Sequence, residues 1–327
     1  MRIHFTYRTI EGPWGGANNF TRAFKSYLRN SPDVVFTERL EEPADIMFMN
    51  QLGQGPGSDG RKLTLREVRN ACRDHRRVVV RAVNLERHAF RHGPRNLVFG
   101  VLNDRAVVKL LNLADIVVFQ SLYQRDIFTA AGYRGRSNTI IHNGADPVYW
   151  NDAPPAAFEA GQLRIVSASA SPRASKRHDI VAAMSRLGGV KVMHCGMWPE
   201  DVDPRNVRLI GKLDRAEMAR VFAEAHFFLH PAVKDPCPNV IFEAICSGLP
   251  VLYNPGPGSS AEIVGGNGVA LDLDNLADTL ASAVSQLDSL RENVRATRDY
   301  YTIERAARQY HDVFRAALNG GGAMEGS

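Results

Sequence analysis

The chain of 327 residues lacks several patterns that mark other classes of protein. Its four cysteines form no C-x-x-C pair, which argues against a zinc knuckle or a dithiol redox site. No apolar run approaches the roughly 18 residues that a membrane span needs. The first 13 residues, MRIHFTYRTIEGP, lack the apolar segment that a secretory signal peptide contains. We therefore expect a reducing, cytoplasmic protein without a transmembrane helix.

Two further absences concern cofactors. No predicted strand is followed by a complete G-x-G-x-x-G, which disfavours a nicotinamide-dependent dehydrogenase. The pattern D-x-D occurs at Asp201-Val202-Asp203, but in a loop flanked by prolines and not at a strand end, where it could hold Mg²⁺ between phosphates. His194-Cys195 and His230 fall at predicted strand ends, and we interpret them as packing residues. We expect no metal and no cofactor.

Positive charge is concentrated in the first half of the chain. Residues 1–150 contain 22 Lys and Arg against 14 Asp and Glu, a net +8, whereas residues 151–327 contain 18 against 21, a net −3. Seven cations recur three and four positions apart on one predicted helix, namely Arg61, Lys62, Arg66, Arg69, Arg73, Arg76 and Arg77. This helix has either an ordinary solvated face or a surface for an anionic lipid or a phosphorylated acceptor. No aromatic residues are interleaved with the cations, so nucleic acid is not expected as a partner.

Short apolar runs alternate with amphipathic segments along almost the whole chain. In the first half we predict strands at 3–7, 34–37, 46–50, 78–83, 116–120 and 139–142, with helices at 18–28, 62–77, 104–113 and 123–131. In the second half we predict strands at 164–168, 190–195, 207–210, 227–230, 251–253 and 269–271, with helices at 178–187, 215–225, 238–247, 276–287 and 303–318. Continuous apolar strands separated by helices are typical of a parallel sheet with helices on both faces.

The segment 151–162, NDAPPAAFEAGQ, is rich in Pro and Ala and has no periodicity, so it is the predicted linker. We predict a first Rossmann-like domain at 1–150, a second at 151–318 and a flexible tail at 319–327. Two doubly wound α/β domains joined in this way should face a central cleft, with site residues on loops that follow strands.

The most informative stretch is 230–250, HPAVKDPCPNVIFEAICSGLP. A predicted strand ends at His230, and a helix is expected to begin near Asn239. Asp235 and Glu243 therefore flank a helix N-terminus, where free N–H groups and the helix dipole favour an anion. Acidic residues near a helix start are also common caps. Sugar hydroxyls together with phosphates would suit such a place.

Two other loops carry candidate ligands for phosphate. Gly15-Gly16 follows the first predicted strand, where glycines allow the backbone to approach a ligand closely, although a simple tight turn would also explain them. Arg173 and Lys176 follow the first strand of the second half, from which both cations could reach a diphosphate. A solvated pair of loop cations is the alternative.

The stretch around Glu243 resembles the nucleotide-binding signature of retaining GT-B glycosyltransferases of the family 4 type (glycosyl transferases group 1). That signature begins with an acidic residue, and a Glu follows after seven other residues. This Glu is the first residue of an E-A-x-x-x-G-x-P-V run. The matching residues here are Asp235, Glu243-Ala244, Gly248-Leu249-Pro250-Val251, Gly258 and Ala261-Glu262-Ile263-Val264. Asp235 replaces the more usual Glu. Other similar segments are Ile141–Asp146, which resembles I-x-N-G-V-D, and Asp115–Ser121.

The resemblance implies a GT-B fold, a nucleotide diphosphate sugar (UDP- or GDP-sugar) as donor, and a glycan, lipid-linked or small-molecule acceptor. It implies that Glu243 holds the ribose and that Lys176 stabilises the leaving diphosphate, with help from Arg173. The family has an Arg at the position of Ala170 or Ser171, and a Gly at that of Arg177.

The same resemblance assigns the donor sugar to Asp235 and to the backbone N–H groups around Pro238, Asn239 and Val240. It places Gly15 and Gly16 near the donor phosphate or the acceptor. Arg81 and Asn84, at the end of an inner strand, are candidates for acceptor binding. The basic helix suggests peripheral contact with an anionic membrane at its inner face.

Two other functions remain open. A GT-B-like sugar-nucleotide epimerase would use carboxylates and His as acid and base, and it would need no acceptor. A catalytically silent nucleotide-sugar-binding module would also fit, since Asp235 and the missing loop Arg both depart from the family pattern.

Overall fold

The computed structural model describes residues 1–11, 16–37, 42–58, 61–74, 76–85, 94–153, 156–159 and 162–320. The chain forms two compact units. Unit 1 consists of Met1–His142 together with Ala306–Ser327, and unit 2 consists of Asn143–Arg305. The division therefore falls after residue 142 and not after residue 150, and the last helix returns to the first unit.

Unit 1 contains a parallel sheet whose strands run in the order β2-β1-β3-β4-β5-β6. These strands are β1 (Arg2–Phe5), β2 (Val35–Thr37), β3 (Ile46–Asn50), β4 (Arg77–Arg81), β5 (Ile116–Phe119) and β6 (Asn138–Ile140). The helices between them are α1 (Gly16–Arg29), α2 (Leu65–Asp74), α3 (Pro94–Leu111) and α4 (Leu122–Ala130). All five pairings are parallel, which requires a crossover between successive strands.

Unit 2 contains a second parallel sheet, in the order β12-β11-β10-β7-β8-β9. Its strands are β7 (Leu163–Ser169), β8 (Val190–Gly196), β9 (Arg208–Gly211), β10 (Phe227–His230), β11 (Val251–Tyr253) and β12 (Gly268–Ala270). Its helices are α5 (His178–Met184), α6 (Arg215–Ala223), α7 (Asn239–Cys246), α8 (Ser260–Val264), α9 (Leu276–Ser285) and α10 (Leu287–Thr297), and α11 (Ile303–Leu318) follows. Buried apolar residues cover both faces of this sheet. The predicted pair of doubly wound α/β units is confirmed.

The return of α11 to unit 1 has a clear physical cause. The ring of Tyr310 lies 5.0 Å from that of Phe24 and 5.5 Å from that of Phe48, and Phe314 lies 5.1 Å from Phe48. These rings are buried, and His311 and Arg315 on the same helix pair with Asp33. The aromatic burial explains why residues 306–318 belong with the first sheet, although we predicted them in the second domain.

Helix ends differ from the prediction where capping decides them. Thr64 and Glu67 form reciprocal side-chain to backbone hydrogen bonds, Thr64 N–H to Glu67 Oε2 at 2.7 Å and Glu67 N–H to Thr64 Oγ1 at 3.2 Å. This capping box starts α2 at Leu65, three residues later than predicted. Helix α3 begins ten residues earlier than predicted, at Pro94, a residue well suited to the first helical turn. The short α8 and the helix α10 were not predicted.

Among the helices that the structure describes, none combines the length and the apolar character that crossing a bilayer requires.

Candidate active site

The site in unit 2 is built on loops that follow the carboxyl ends of β7 and β10. Lys176 ends a short 3₁₀ turn (Ala174–Lys176) after β7, and Asp235 lies in the loop after β10. Val233 N–H donates to the carbonyl of Ser175 at 2.9 Å, which holds the two loops together. As a result Lys176 Nζ lies 2.7 Å from Asp235 Oδ2, with both side chains mostly shielded from solvent. The structure thus brings together two of the predicted site residues.

Asp235 is held from several directions. Burial raises the pKa of its carboxyl, but the Lys176 ammonium and the hydrogen bond from Cys237 N–H outweigh that effect, so the pKa lies below its usual range. Cys237 N–H donates to Asp235 Oδ1 at 3.3 Å, and Ser259 donates to the Asp235 carbonyl from both N–H and Oγ at 3.0 Å. Asp235 is therefore ionised and fixed in place at neutral pH.

His230 occupies the last position of β10 and is buried. Burial lowers the pKa of its imidazole to about 4, so the ring is neutral at pH 7. The ring stacks against Phe228 at a centroid distance of 6.3 Å, in agreement with the packing role that we predicted. Its Nε2 has no hydrogen-bond partner among the described residues.

Glu243 lies on α7, the helix that begins at Asn239. Its side chain is half-buried, and its carboxylate forms no hydrogen bond or ion pair with the residues that the structure describes. Burial, with a smaller contribution from the Asp146 carboxylate, raises the pKa of Glu243 to about 7, and Arg215 opposes this rise. A half-buried carboxylate without a protein partner is available to accept hydrogen bonds from a ligand.

Two residues near Glu243 were not among the predicted site residues. Arg215, the first residue of α6, pairs with Asp146, whose other carboxylate oxygen caps a 3₁₀ turn by accepting from Val148 N–H at 3.1 Å. Within this pair, the negative charge of Asp146 raises the pKa of Glu243 and the positive charge of Arg215 lowers it. The sequence signal for Asp146 was its place in the segment Ile141–Asp146, which resembles I-x-N-G-V-D.

The predicted sugar-binding backbone forms the first turn of α7. Pro238 is the buried N-cap residue, and its carbonyl accepts from Ile241 N–H at 3.1 Å. Asn239 Oδ1 accepts from Asn143 Nδ2 at 2.6 Å, and Val240 is half-buried. Gly144, which follows Asn143, lets the chain pass close to Thr302, because a Cβ at that position would lie 2.2 Å from the Thr302 carbonyl oxygen. Asn143 thus contacts the first residue of α7.

The loop after β7 also explains a departure from the family pattern. Arg177, which stands where the family has Gly, adopts a left-handed conformation with φ 52° and ψ 51°. Such a conformation costs an ordinary residue about 1–2 kcal/mol. Arg177 holds Asp179 through three hydrogen bonds of 2.8–3.1 Å. The Arg173 side chain is exposed and forms no hydrogen bond or ion pair with the described residues, so it is available to a ligand.

Unit 1 contains the remaining candidates. Gly15 lies outside the described residues, and Gly16 is the first residue of α1. Arg81 is buried at the end of β4, where its guanidinium donates to Asn50 Oδ1 at 2.8 Å and to Gln120 Oε1 at 2.5 Å. Asn84 is half-buried, and its carbonyl accepts from a Gln side chain. Arg81 thus ties the ends of three strands together.

In the part of the chain that the structure describes, no group of three His, Cys, Asp or Glu side chains is arranged to hold a metal ion. A reaction without metal stays a prediction.

Comparison with known proteins adds to this geometry. Residues 171–289 match the family model of glycosyl transferases group 1, and no curated protein sequence matches. The chain is similar to HepE from Anabaena, solved with UDP and glucose, with a TM-score of 0.67 at 15% identity over 97% of this chain and 100% of that one.

Two further solved structures are similar to this chain. A sucrose-phosphate synthase from Thermosynechococcus elongatus has a TM-score of 0.65 at 13% identity, over 98% of this chain and 100% of its own. WaaG, a glycosyltransferase involved in lipopolysaccharide biosynthesis, has a TM-score of 0.62 at 17% identity, over 96% of this chain and 99% of its own.

The two parallel sheets with flanking helices match the GT-B fold, as predicted. The resemblance to glycosyl transferases group 1 is confirmed over residues 171–289, which contain Lys176, Asp235 and Glu243. The chain thus has the GT-B fold and, over residues 171–289, the sequence pattern of glycosyl transferases group 1.

Proposed function

We propose that this protein is a retaining glycosyltransferase that moves a sugar from a UDP- or GDP-sugar to a glycan, a lipid-linked acceptor or a small molecule. The observation that carries the proposal is Glu243, a half-buried carboxylate without a partner among the described residues on the helix that follows the Lys176–Asp235 pair. HepE, solved with UDP and glucose, supports a UDP-sugar.

In this proposal different residues of unit 2 bind different parts of the donor. Glu243 accepts hydrogen bonds from the ribose hydroxyls, and it does so best when ionised. The first turn of α7, at Pro238–Val240, and Asp235 hold the donor sugar. Lys176 and the exposed Arg173 face the diphosphate, which gains negative charge as the bond from the anomeric carbon to the phosphate oxygen breaks. Fixed cations at that place lower the barrier, because the diphosphate carries more negative charge in the transition state than in the bound donor.

The Lys176–Asp235 pair suggests how the cation is kept ready. Without a donor, Asp235 holds Lys176 at 2.7 Å, so the ammonium need not be ordered when the substrate arrives. A charged group that is already oriented costs no reorganisation during the reaction. Asp235 therefore positions Lys176 in addition to contacting the sugar.

A single experiment separates this proposal from its alternatives. Purified protein is incubated with UDP- and GDP-sugars, and free nucleoside diphosphate is measured with and without a mixture of candidate acceptors. Diphosphate release that requires an acceptor supports the transferase. Release without any acceptor, together with an isomerised sugar, would identify the epimerase. Binding of the diphosphate, seen as a rise in melting temperature, without any turnover would identify a silent binding module.

We further propose that unit 1 contacts an anionic membrane at its inner face. Arg66, Arg69 and Arg73 of α2 are exposed and have no partner among the described residues. Helix α3 packs beside α2 and exposes Arg105, Lys109 and also Leu102, which is 55% accessible. We call these six residues the basic face. Cations with an exposed leucine suit a surface of anionic lipid head groups, at about 1 kcal/mol per cation.

A further inference from the structure

A pocket of about 200 Å³ lies in unit 2, away from the site described above. One wall is formed by α10 and the residue that follows it, which together contribute three arginines on successive turns, Arg291, Arg295 and Arg298. The other walls are the end of α6, the residues just after α7 and the irregular segment that follows Trp150. The lining also includes Asn151, Asp152, Ala156, Ala225, Gly248 and Leu249. We call this cavity the arginine pocket.

The arginine pocket and the donor site lie at opposite edges of the same sheet. Ala225 comes just before β10 and Leu249 just before β11, so the pocket is at the amino ends of these strands. Lys176 and Asp235 follow the carboxyl ends of β7 and β10. All strands of this sheet are parallel, and a ligand in one place cannot share contacts with the other.

Two of the three guanidinium groups are anchored by the pocket wall. Arg291 Nη2 donates to the Ala156 carbonyl at 2.8 Å, and Arg298 Nη1 donates to the Asn151 carbonyl at 2.7 Å. Arg298 also pairs with Asp152 and lies 3.9 Å from the centre of the Trp150 ring. These contacts fix the direction of both side chains, so the cations are arranged before any ligand binds.

The positive charge of the pocket is not balanced. Asp152 is the only acidic residue among the described ones that line it, and it is already engaged by Arg298 and by Trp150 Nε1 at 2.9 Å. Arg295 is exposed and has no partner among the described residues. Burial lowers the pKa of Arg291, Asp288 opposes this at 3.9 Å, and the Arg295 cation adds to the lowering. A bound anion would relieve this repulsion.

The C-terminal end of α7, which borders the pocket, does not oppose an anion as strongly as a bare helix end would. Its last four carbonyls all accept hydrogen bonds: Glu243 from Ser247, Ala244 from Leu249, Ile245 from Gly248 and Cys246 from Asn151. Gly248 permits this arrangement, because its φ of +87° is unfavourable for other residues. The negative end of the helix dipole is therefore largely satisfied by N–H groups.

We propose that the arginine pocket binds a small oxyanion of the phosphate type, at a second site independent of the donor. Guanidinium groups suit phosphate because their planar N–H donors can bind two oxygens at once. At about 200 Å³ the pocket is smaller than the roughly 300–1,000 Å³ of sites for drug-sized ligands. It therefore suits inorganic phosphate or one phosphoryl group and not a whole nucleotide sugar.

The test is calorimetric titration of the full chain with inorganic phosphate, in chloride buffer at constant ionic strength and without any nucleotide sugar. Phosphate could also enter the donor site, so the titration is repeated on Lys176→Ala, in which the donor-site cation is missing. We expect binding to persist in Lys176→Ala. Arg295→Gln should weaken it about ten- to a hundredfold, the effect of losing one charged hydrogen bond. Arg295 has no contact to lose, so this variant should fold normally.

The matched control is Arg186→Gln, which removes an equally exposed cation of unit 2 outside the pocket and should leave phosphate affinity unchanged. Three outcomes would overturn the proposal: no phosphate binding at millimolar concentration, binding that is lost in Lys176→Ala, or equal affinities in Arg295→Gln and wild type. If Arg295→Gln lowers only the melting temperature, the arginines merely stabilise the C-terminal end of α10. Because no donor or acceptor is present, the result is independent of the proposed transferase activity.

Discussion

Lys176 and Asp235 are 59 positions apart in the chain, yet Lys176 Nζ lies 2.7 Å from Asp235 Oδ2. Each residue follows the carboxyl end of a strand, and β7 and β10 are neighbours in one parallel sheet. The sequence alone placed both residues on loops after strands, and the strand order explains why those loops meet. The pairing gives the proposed mechanism its first test.

Lys176→Ala should lower kcat by about two to three orders of magnitude, because its charge acts on the diphosphate as the sugar–phosphate bond breaks. Lys176→Arg keeps the charge and should retain part of the rate. Steady-state kinetics with saturating donor would measure both. If the Ala variant raises KM alone, Lys176 is a binding cation and has no role in the chemical step.

Glu243→Gln should weaken donor binding about 10- to 150-fold, the loss of a charged hydrogen bond, while stabilising the fold. The raised pKa of about 7, against 4.5 for a free carboxyl, means that folding favours the protonated form. The free energy of unfolding of the wild type therefore falls as pH rises from about 4.5 to about 7, and Glu243 causes no further change above pH 7.

The stabilisation of Glu243→Gln should accordingly be absent near pH 4 and reach at most about 3 kcal/mol at pH 8. Chemical denaturation at both pH values, with donor titration at pH 8, would measure these two effects. A variant that binds the donor as tightly as wild type would remove Glu243 from the site. Wild-type donor affinity should itself increase from pH 6 to pH 8.

The stereochemistry of the reaction is a third prediction. An α-linked donor sugar should give an α-linked product, because retention is implied by the resemblance to group 1 glycosyltransferases. The rate should survive excess EDTA. Proton NMR of the anomeric signal of the product would decide the first point. A β-linked product would contradict the prediction of retention. A rate that chelation abolishes and Mg²⁺ restores would contradict the prediction of a metal-independent reaction.

The basic face should bind vesicles that contain anionic lipid, and the binding should fade with salt. The screening length falls from about 10 Å at 0.1 M to about 3 Å at 1 M salt. Reversal of Arg66, Arg69 and Arg73 to Glu should abolish co-sedimentation with such vesicles without a large change in melting temperature, because all three are exposed and unpaired within the described residues.

A control for the basic face carries the same change of charge on unit 2, at Arg186, Arg208 and Lys212, which are also exposed. Vesicle binding should be retained in this control. Equal losses in both triple variants would mean that net charge, and not the basic face, governs binding. Wild-type protein that ignores anionic vesicles at low salt would show that this is an ordinary solvated surface.

Phe314→Ala should destabilise unit 1 by about 3–5 kcal/mol, the usual cost of removing a buried ring. Phe314 is fully buried and packs against Phe48 at 5.1 Å. Denaturation followed by tryptophan fluorescence and by circular dichroism would measure the loss. A cost below about 1 kcal/mol would mean that α11 contributes little to the core of unit 1.

Most strands could be predicted because buried parallel strands are continuous apolar runs, as at Ile46–Asn50 and Phe227–His230. The candidate site residues were predicted from local patterns, and Glu243 from its resemblance to a family signature. The Asp146–Arg215 pair was missed because it joins segments distant in sequence. Helix α11 was assigned to the wrong unit for the same reason, since its amphipathic pattern predicts a buried face without saying which core receives it.

The path of the chain through α11 bears on synthesis by the ribosome. Unit 2 is one continuous stretch, Asn143–Arg305, so all of it is available before translation ends. Unit 1 is translated first but still lacks Tyr310 and Phe314, the rings that pack on Phe24 and Phe48. Domains usually fold in the order in which they emerge. Here the core of unit 1 is completed only by residues that follow the whole of unit 2, so we expect unit 1 to reach its final packing after unit 2 has been synthesised.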